Sequence, residues 1–348
     1  MIDGHGDDLY KYGIDVLKAN FSSNIYGPTN NQALKEHLIR SISVIDSYPE
    51  PEPYSLQERL AEKLHVDKSN VIAFSGATDA IYTIANVLGS NSVNVVVQPT
   101  FSEYTDALNH VGAKVYNVSS FKEGANLISC FRLDAFWFCN PNNPTGQVIP
   151  LAEIKALAKR CSNTLFIIDQ SYASFTAEDV FPDEDINTFD NILILHSLTK
   201  AYKLPGLRLG YAVTQNRLIL QKYGAFRMPW SVNALAIEAG MFVTKDEEWN
   251  KRTFDLGVLL SEAKALRDGL IALGLEVEPT NTHFMLCKIS DKHSITSQEL
   301  KDKLVSQFGL LVRDASNFHG LSNKHFRVAA QDASSNSLLL NAIKQVLK

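Results

Sequence analysis

Short apolar runs alternate with helical patterns through the middle of the chain, from about residue 71 to residue 213. These runs have the usual length of strands and little polar alternation, which is typical of a sheet covered by helices on both faces. Strands are predicted at 71–74, 93–97, 113–118, 135–138, 165–168, 192–195 and 209–213, with helices at 78–88, at 102–111 and from Pro150. The pattern therefore predicts an α/β fold with a mostly parallel sheet between helices.

The two ends of the chain have different patterns. Residues 1–30 show little periodicity and many Gly, Asn, Ser and Pro, so we interpret them as an irregular arm. After about residue 235, a long helical stretch and a final helix flank several short strand patterns. These helices are predicted at 246–273 and from about 335, and the strands at 275–277, 284–288, 310–313 and 326–329. We predict three parts: the arm 1–30, a large domain 31–235 and a smaller α+β domain 236–348.

Two capping boxes predict where helices begin. Thr296 is followed three residues later by Glu299, and Ser55 by Glu58. In such a box the hydroxyl and the carboxylate satisfy backbone N–H groups of the first turn. We expect a helix to start at each site.

Composition excludes several classes of function. The 348-residue chain has a formal net charge of −5, which argues against a nucleic-acid partner. Its four cysteines form no C-x-x-C pair and its histidines form no H-E-x-x-H motif, so a metal site is not expected. The first residues lack the apolar core of a signal peptide, and no apolar run reaches membrane-spanning length. We expect a cytoplasmic protein that is not bound to a membrane.

A segment near the middle of the chain carries the strongest chemical signal. Ser197 and Thr199 follow an apolar strand, Lys200 comes next, and Arg208 follows eight residues later. Hydroxyls and an arginine bind phosphate, whereas a desolvated lysine can act as a neutral amine. Pyridoxal 5'-phosphate (PLP) needs both, because it joins a phosphate to an aldehyde that a lysine holds as a Schiff base.

This segment resembles the lysine segment of class I/II aminotransferases, the fold-type I PLP enzymes. It reads Ser-Leu-Thr-Lys-Ala-Tyr, then Pro-Gly-Leu-Arg-Leu-Gly-Tyr. The similarity spans nearly the whole chain and is closest to the branch that holds threonine-phosphate decarboxylase and histidinol-phosphate aminotransferase. It implies the PLP-dependent transferase fold, PLP as the cofactor and Lys200 as the Schiff-base lysine.

Other motifs match the same family and imply contacts to the PLP ring. Asp169 and Tyr172 lie in Asp-Gln-Ser-Tyr, where the family usually has Asp-Glu-Ala-Tyr. The resemblance implies that Asp169 holds the pyridine nitrogen and that Tyr172 donates to the phenolic oxygen. Asn143, in Asn-Pro-Asn-Asn-Pro-Thr-Gly, is implied to hold the same oxygen. Phe101 matches the aromatic residue that stacks on the ring, with Tyr104 as a rival.

A turn of small residues is expected to bind the cofactor's phosphate. Gly76, Ala77 and Thr78 lie between a predicted strand and a helix, where free backbone N–H groups and the helix dipole favour an anion. Together with the hydroxyls and the arginine described above, they form a predicted phosphate cup. Its members are Gly76, Ala77, Thr78, Ser197, Thr199 and Arg208.

Further matches concern the partner subunit and the substrate. Tyr48, in Tyr-Pro-Glu-Pro, resembles a tyrosine that reaches the PLP phosphate of the neighbouring subunit, which implies a homodimer with shared sites. Arg327, in His-Phe-Arg-Val-Ala, matches an arginine that binds the substrate's carboxylate or another anion. His5 and Asn24 match substrate-contacting positions of the decarboxylase branch.

The resemblance leaves the reaction open. The stretch Met-Pro-Trp-Ser-Val-Asn-Ala-Leu-Ala at 228–236 favours decarboxylation of L-threonine O-3-phosphate. Two departures weaken that reading: the branch's His-Gly-Gly-Asn is here His5-Gly6-Asp7-Asp8, and a basic residue after Arg-Val-Ala is here Gln331. A histidinol-phosphate-type or general aminotransferase is the alternative, and a non-catalytic binding protein on this fold is a remote one. The expected substrate is a small amino acid or amino phosphate.

Overall fold

The computed structural model describes residues 6–13, 16–128, 131–249, 251 and 253–348. Its strands are β1 (Ala19–Asn20), β2 (Val71–Phe74), β3 (Val93–Val97), β4 (Lys114–Val118), β5 (Ala135–Cys139), β6 (Leu165–Asp169), β7 (Ile192–Ser197), β8 (Gly210–Thr214), β9 (Glu276–Val277), β10 (Phe284–Lys288), β11 (Leu310–Leu311), β12 (Arg313–Asp314) and β13 (His325–Ala329). Its α-helices are α1 (Gln32–Arg40), α2 (Tyr54–Leu64), α3 (Ala77–Leu88), α4 (Glu103–His110), α5 (Phe121–Ile128), α6 (Leu151–Arg160), α7 (Leu198–Ala201), α8 (Arg217–Lys222), α9 (Ala234–Val243), α10 (Leu256–Ala272), α11 (Ser297–Phe308) and α12 (Ala333–Val346).

A seven-stranded sheet forms the centre of the molecule, in the order β2-β8-β7-β6-β5-β3-β4. All neighbouring pairs are parallel except those of β8, which runs antiparallel to β2 and to β7. Separate apolar clusters cover its two faces, which explains why the strand sequences lack polar alternation. The predicted α/β fold with a mostly parallel sheet is confirmed.

A second, four-stranded antiparallel sheet has the order β12-β13-β10-β9 and lies in the C-terminal part of the chain. The predicted single strand at 310–313 is two strands: β11 pairs in parallel with β1 of the N-terminal arm, whereas β12 pairs with β13. The arm is therefore hydrogen-bonded to the C-terminal part of the chain.

Several predicted helix starts need correction. The helix expected at 246–273 begins only at Leu256, because Asp255 caps it by accepting from the Val258 N–H at 3.0 Å. Ser55 does not cap α2; instead its N–H and hydroxyl donate to Glu50 at 3.1 and 3.0 Å.

Two other predicted helix starts, at Pro150 and at Thr296, can be compared with the structure. Pro150 precedes α6 rather than starting its first turn. The Thr296–Glu299 capping box is confirmed at the start of α11. None of the helices in the described ranges is both long and apolar enough to cross a membrane.

Candidate active site

A cavity of about 400 Å³ opens at the carboxyl ends of β5, β6 and β7. This is the edge of an open α/β sheet where ligands bind. The start of α3, the N-terminal arm and β13 complete its walls. It brings together most of the predicted site residues, namely Ala77, Thr78, Phe101, Asn143, Asp169, Tyr172, Ser197, Thr199, Lys200, Arg208 and Arg327.

Lys200 lies on the single turn of α7, directly after β7. Its Nζ is 3.4 Å from the Ser23 carbonyl oxygen, to which it donates. Burial and the positive charges of Arg327 and Arg208 lower the pKa of Lys200 to about 8, against the opposing effect of two carboxylates in the cavity. A substantial fraction of this lysine is therefore a neutral amine near physiological pH, as a nucleophile requires.

Asp169 ends β6 and is held by two donors. The Tyr104 hydroxyl donates to its Oδ2 at 2.6 Å, and the Ser171 N–H donates to its Oδ1 at 2.8 Å. Burial, reinforced by the Asp169 charge, raises the pKa of Tyr104 well above its usual range, which keeps the phenol a donor. Phe101 also lines the cavity, and its ring meets that of Tyr104 edge-on at 5.9 Å.

The predicted phosphate cup has very close packing. Gly76 caps α3 at φ +83°, and a Cβ there would lie 2.7 Å from Nη2 of Arg208. The hydroxyls of Ser197 and Thr199 are hydrogen-bonded to each other at 2.7 Å. A helix N-terminus, two hydroxyls and a guanidinium thus converge on one end of the cavity, where an anion is favoured.

Arg327 lies on the opposite wall. It is buried on β13 and donates to the Asn143 side-chain oxygen and to the Ser22 carbonyl oxygen, both at short range. Burial lowers the pKa of Arg327 to about 10. Tyr172 packs edge-on against Phe284 at 4.8 Å, and burial raises the pKa of Tyr172 to about 12.

A second arginine, Arg313, is a site residue that the sequence analysis missed. It is buried on β12 directly opposite Arg327 on β13, and it donates to Asn317 at 2.8 Å. Both arginines line a small cavity of about 40 Å³ that shares Phe101 and Asn143 with the larger one. The available signal was an arginine at the end of the apolar strand pattern predicted at 310–313.

Three predicted residues of the described part of the chain do not line the cavity, namely Gly76, which lies beside Arg208 at the start of α3, Tyr48 and Asn24. Tyr48 is 86% exposed and packs against Trp230 at 5.5 Å. Asn24 is fully buried with a left-handed backbone, while its neighbours Ser22, Ser23 and Ile25 line the cavity. His5 lies outside the described residues.

Asp7, Asp8 and Gln331, the residues that depart from the family pattern, each have identifiable contacts in the structure. Asp7 lines the cavity, whereas the buried Asp8 pairs with the buried Lys301 at 2.6 Å. The Gln331 side chain accepts from the Gly27 N–H at 2.7 Å, so it anchors the arm. No group of three or more His, Cys, Asp or Glu in the described part of the chain is placed to hold a metal ion.

The fold and this cavity define a fold-type I PLP enzyme. The chain belongs to the aminotransferase class I and II family, whose model matches residues 17–345. It is 31% identical to a threonine-phosphate decarboxylase of Salmonella typhimurium over 94% of this chain and 91% of that protein. It is 29% identical to a histidinol-phosphate aminotransferase of Aliarcobacter butzleri over 97% of this chain and 93% of that protein.

Solved structures resemble the chain in the same way. The L-threonine-O-3-phosphate decarboxylase from Porphyromonas gingivalis superposes with a TM-score of 0.89 at 33% identity, covering 94% of this chain and 99% of that one. A histidinol-phosphate aminotransferase from Sinorhizobium meliloti in complex with PLP shares the fold, with a TM-score of 0.83 at 18% identity over 95% of this chain and 91% of that one. The protein is therefore an enzyme of the PLP-dependent decarboxylase or aminotransferase type, and its cofactor is PLP.

The residues present fit this cofactor. The absence of a Cβ at Gly76 is what lets Arg208 approach the N-terminus of α3, as a phosphate bound between them requires. The lowered pKa of Lys200 suits an amine that must react with an aldehyde.

Proposed function

We propose that this enzyme decarboxylates L-threonine O-3-phosphate. The observation that carries the proposal is the pair of buried arginines, Arg313 and Arg327, facing each other on β12 and β13. Like charges directly opposite each other in a sheet are destabilising. Two anionic groups on one small substrate would offset this repulsion.

A division of roles follows from the positions of the two arginines. Arg327 lines the larger cavity together with Lys200, so we assign it the α-carboxylate. Arg313 lines only the smaller cavity, so we assign it the phosphate. L-Threonine O-3-phosphate carries both anions, whereas histidinol phosphate carries only the phosphate.

The cofactor would be held at three places. We assign Asp169 to the pyridine nitrogen, Asn143 and Tyr172 to the ring oxygen, and Phe101 to the ring face. The phosphate is assigned to Gly76, Ala77, Thr78, Ser197, Thr199 and Arg208. When bound, PLP supplies an electron sink that stabilises negative charge at the substrate's α carbon.

The chain's own groups would then direct the reaction. Arg327 would hold the α-carboxylate of the substrate. The position of this guanidinium would therefore decide whether the bond between the α carbon and the carboxylate is the one that breaks. After carbon dioxide leaves, the α carbon needs a proton, and Lys200 can deliver it from Nζ because its pKa is about 8. Asp169, held by Tyr104 and Ser171, would face the pyridine nitrogen.

We also propose that the enzyme works as a cytoplasmic homodimer in which Tyr48 completes the partner's site. Tyr48 lies in a surface where segments 39–54 and 226–230 are joined by an Arg227–Glu52 ion pair of 2.6 Å and by a Trp230–Pro51 hydrogen bond of 2.9 Å. These segments expose several large apolar side chains, namely Ile39, Ile42, Ile45, Tyr48, Tyr54, Phe226, Met228 and Trp230. Apolar exposure of this kind marks an interaction surface.

The test is to incubate the PLP-loaded enzyme with O-phospho-L-threonine and to measure carbon dioxide and the amino-propanol phosphate product. Stoichiometric release of both supports the proposal. Histidinol phosphate with 2-oxoglutarate, and glutamate with keto acids, are assayed in parallel for transamination. Transamination without carbon dioxide release would replace the decarboxylase with the aminotransferase alternative, which the histidinol-phosphate aminotransferase relatives favour.

A further inference from the structure

Asp7 places a carboxylate in the wall of the substrate cavity, close to Lys200. Its backbone N–H donates to the Ser22 hydroxyl at 2.9 Å. Its Oδ1 accepts from the Asn20 amide at 2.5 Å, and Asn20 in turn accepts from the Ser22 N–H at 2.8 Å. The side chain is therefore held by a local network and does not hang freely in solvent.

The backbone at Asp7 is one that glycine would adopt at lower cost. Its φ is +65°, in the left-handed region that is unfavourable for most residues with a side chain. An unfavourable backbone at a binding site is a reason to look for a function of the side chain. Aspartate tolerates this region better than most residues with a side chain. The carboxylate is the group that glycine would lack at this position.

The neighbours of Asp7 fix its position along the chain. A Cβ at Gly6 would lie 2.7 Å from the Ser22 carbonyl oxygen and 3.3 Å from atoms of both Arg313 and Arg327. On the other side, Asp8 is anchored by its buried ion pair with Lys301 on α11. Asp7 therefore lies between a glycine pressed against the two arginines and a residue tied to the C-terminal part of the chain.

Charges of both signs surround Lys200 at this point. Arg327 and Arg208 oppose its protonation, whereas Asp7 and Asp169 favour it. Tyr172, Tyr104, Cys139 and Glu103 also line the cavity. Near Lys200 lies in addition the buried His283, whose pKa burial lowers to about 3, so that it is neutral. Asp169 is already engaged by Tyr104 and Ser171, which leaves Asp7 as the carboxylate on the arm side of the cavity.

We propose that Asp7 is a specificity-determining residue of this enzyme. Its carboxylate attracts the ammonium group of the incoming substrate towards Lys200 and weakens the binding of fully ionised phosphate beside the two arginines. The inference rests on the proposed substrate class, an amino acid that carries a phosphate, but its test needs no turnover.

The experiment compares Asp7→Asn and Asp7→Gly with the wild type, all loaded with PLP. The pH dependence of the visible cofactor absorbance, without substrate, reports the protonation of the nitrogen of Lys200. For unit charges about 10 Å apart at an effective dielectric constant of about 20, removing one carboxylate lowers the proton affinity of the lysine nitrogen roughly tenfold. Solvent in the cavity makes this effect smaller. We therefore expect the pH midpoint of the absorbance change to fall in both variants. The fall should correspond to a roughly two- to tenfold lower proton affinity.

The second measurement is binding of inorganic phosphate and of L-threonine by calorimetry. Both variants are expected to bind inorganic phosphate roughly two- to tenfold more tightly. The gain should be larger at pH 8 than at pH 5.5, because phosphate is more fully ionised at the higher pH. L-Threonine should show no such gain. Asp291→Asn is the control, since Asp291 is exposed and outside the cavity.

The proposal would be overturned if both Asp7 variants had the same absorbance midpoints and phosphate affinities as the Asp291→Asn control. A shift in Asp7→Gly without one in Asp7→Asn would overturn it too, since it would trace the effect to the backbone and not to the charge. Failure of the decarboxylase proposal alone would appear differently: no carbon dioxide would be released, while the absorbance midpoint and phosphate binding would still respond to Asp7.

Discussion

The hydroxyl of Tyr104 donates to the carboxylate of Asp169 at 2.6 Å, and both groups are buried at the floor of the cavity. Tyr104 comes from α4 and Asp169 from the end of β6, so the bond ties a helix to the strand that carries the charge. The aromatic residue considered only as a rival for ring stacking is thus a positioning residue for Asp169.

Tyr104→Phe should weaken both stability and catalysis. A hydrogen bond to a charged group contributes about 1.5–3 kcal/mol, so the free energy of unfolding should fall by roughly that amount. Because Asp169 would be held less well, kcat should fall by more than KM rises. Urea unfolding and steady-state kinetics measure the two effects, with Tyr116→Phe on β4 as the matched control. Unchanged kcat would show that the bond serves stability alone.

The pKa of Lys200 predicts an unusual pH profile for its chemical labelling. In the cofactor-free protein, cyanate should modify Lys200 with a midpoint near pH 8 instead of near pH 10.5. Arg327→Met should move the midpoint to higher pH, because removing a positive charge makes protonation of the lysine easier. Peptide mass spectrometry measures the labelling, and Lys200→Ala identifies the peptide. A midpoint at the ordinary lysine value would contradict the burial and charge described for this site.

Gly76→Ala should lower the affinity for PLP. The new Cβ would lie 2.7 Å from Nη2 of Arg208 and would occupy a backbone with φ +83°. Displacing the arginine would remove the charge-assisted contact that we propose it makes to the phosphate, which we expect to weaken binding by roughly ten- to a hundredfold. Fluorescence titration of the cofactor-free protein measures this. Gly206→Ala is the control, because the added methyl group would have open space within 4 Å, apart from its own chain neighbours.

A mixing experiment tests the shared sites of the proposed dimer. Lys200→Ala and Tyr48→Ala proteins should each be nearly inactive. Random exchange of subunits should restore up to about a quarter of the wild-type activity, since half the dimers are mixed and each has one intact site. Exchange is followed with differently tagged chains. If mixed dimers form but recover no activity, Tyr48 does not contribute to the active site of the partner subunit.

The ion pair between Asp8 and Lys301 should be important for stability. Lys301→Met removes the buried partner of Asp8 and leaves its carboxylate only the partly exposed Lys11 at 3.7 Å, so the cost should approach the ~3–5 kcal/mol of a broken buried pair. Urea unfolding of the PLP-free protein measures the loss. Lys303→Met, at an exposed position of the same helix, should stay within about 0.5 kcal/mol of the wild type. If the two variants have the same free energy of unfolding, the ion pair holds the arm less firmly than its geometry indicates.

Local patterns predicted the central sheet well because most of its strands are apolar on both faces; the edge strand β4, with exposed Lys114 and Asn117, is the exception. β3 and β10 have the predicted bounds, and the Thr296–Glu299 box caps α11 as expected. Helix starts were harder to predict. Glu50 binds the N–H and hydroxyl of Ser55, the expected cap, and Asp255 caps α10 so that this helix begins later than its pattern predicted. In these cases a side chain several residues away decides the backbone's hydrogen bonding.

Contacts between distant parts of the chain could not be predicted from local patterns. Arg313 becomes a site residue only through the register that sets it opposite Arg327. The link between Tyr104 and Asp169 spans 65 positions, and that between Asp8 and Lys301 spans 293. The family resemblance supplied the residues with recurring motifs, whereas these partners have no recurring motif and depend on the folded structure.

The pairing of β1 with β11 has a consequence for how the enzyme is made. The cavity takes Gly6 from the beginning of the chain and Arg327 from near its end. During synthesis the seven strands of the central sheet leave the ribosome before β11 and β13, so the substrate side of the cavity is completed last. A nascent or truncated chain lacking this final part could therefore possess the lysine and the phosphate cup and still be unable to select a substrate.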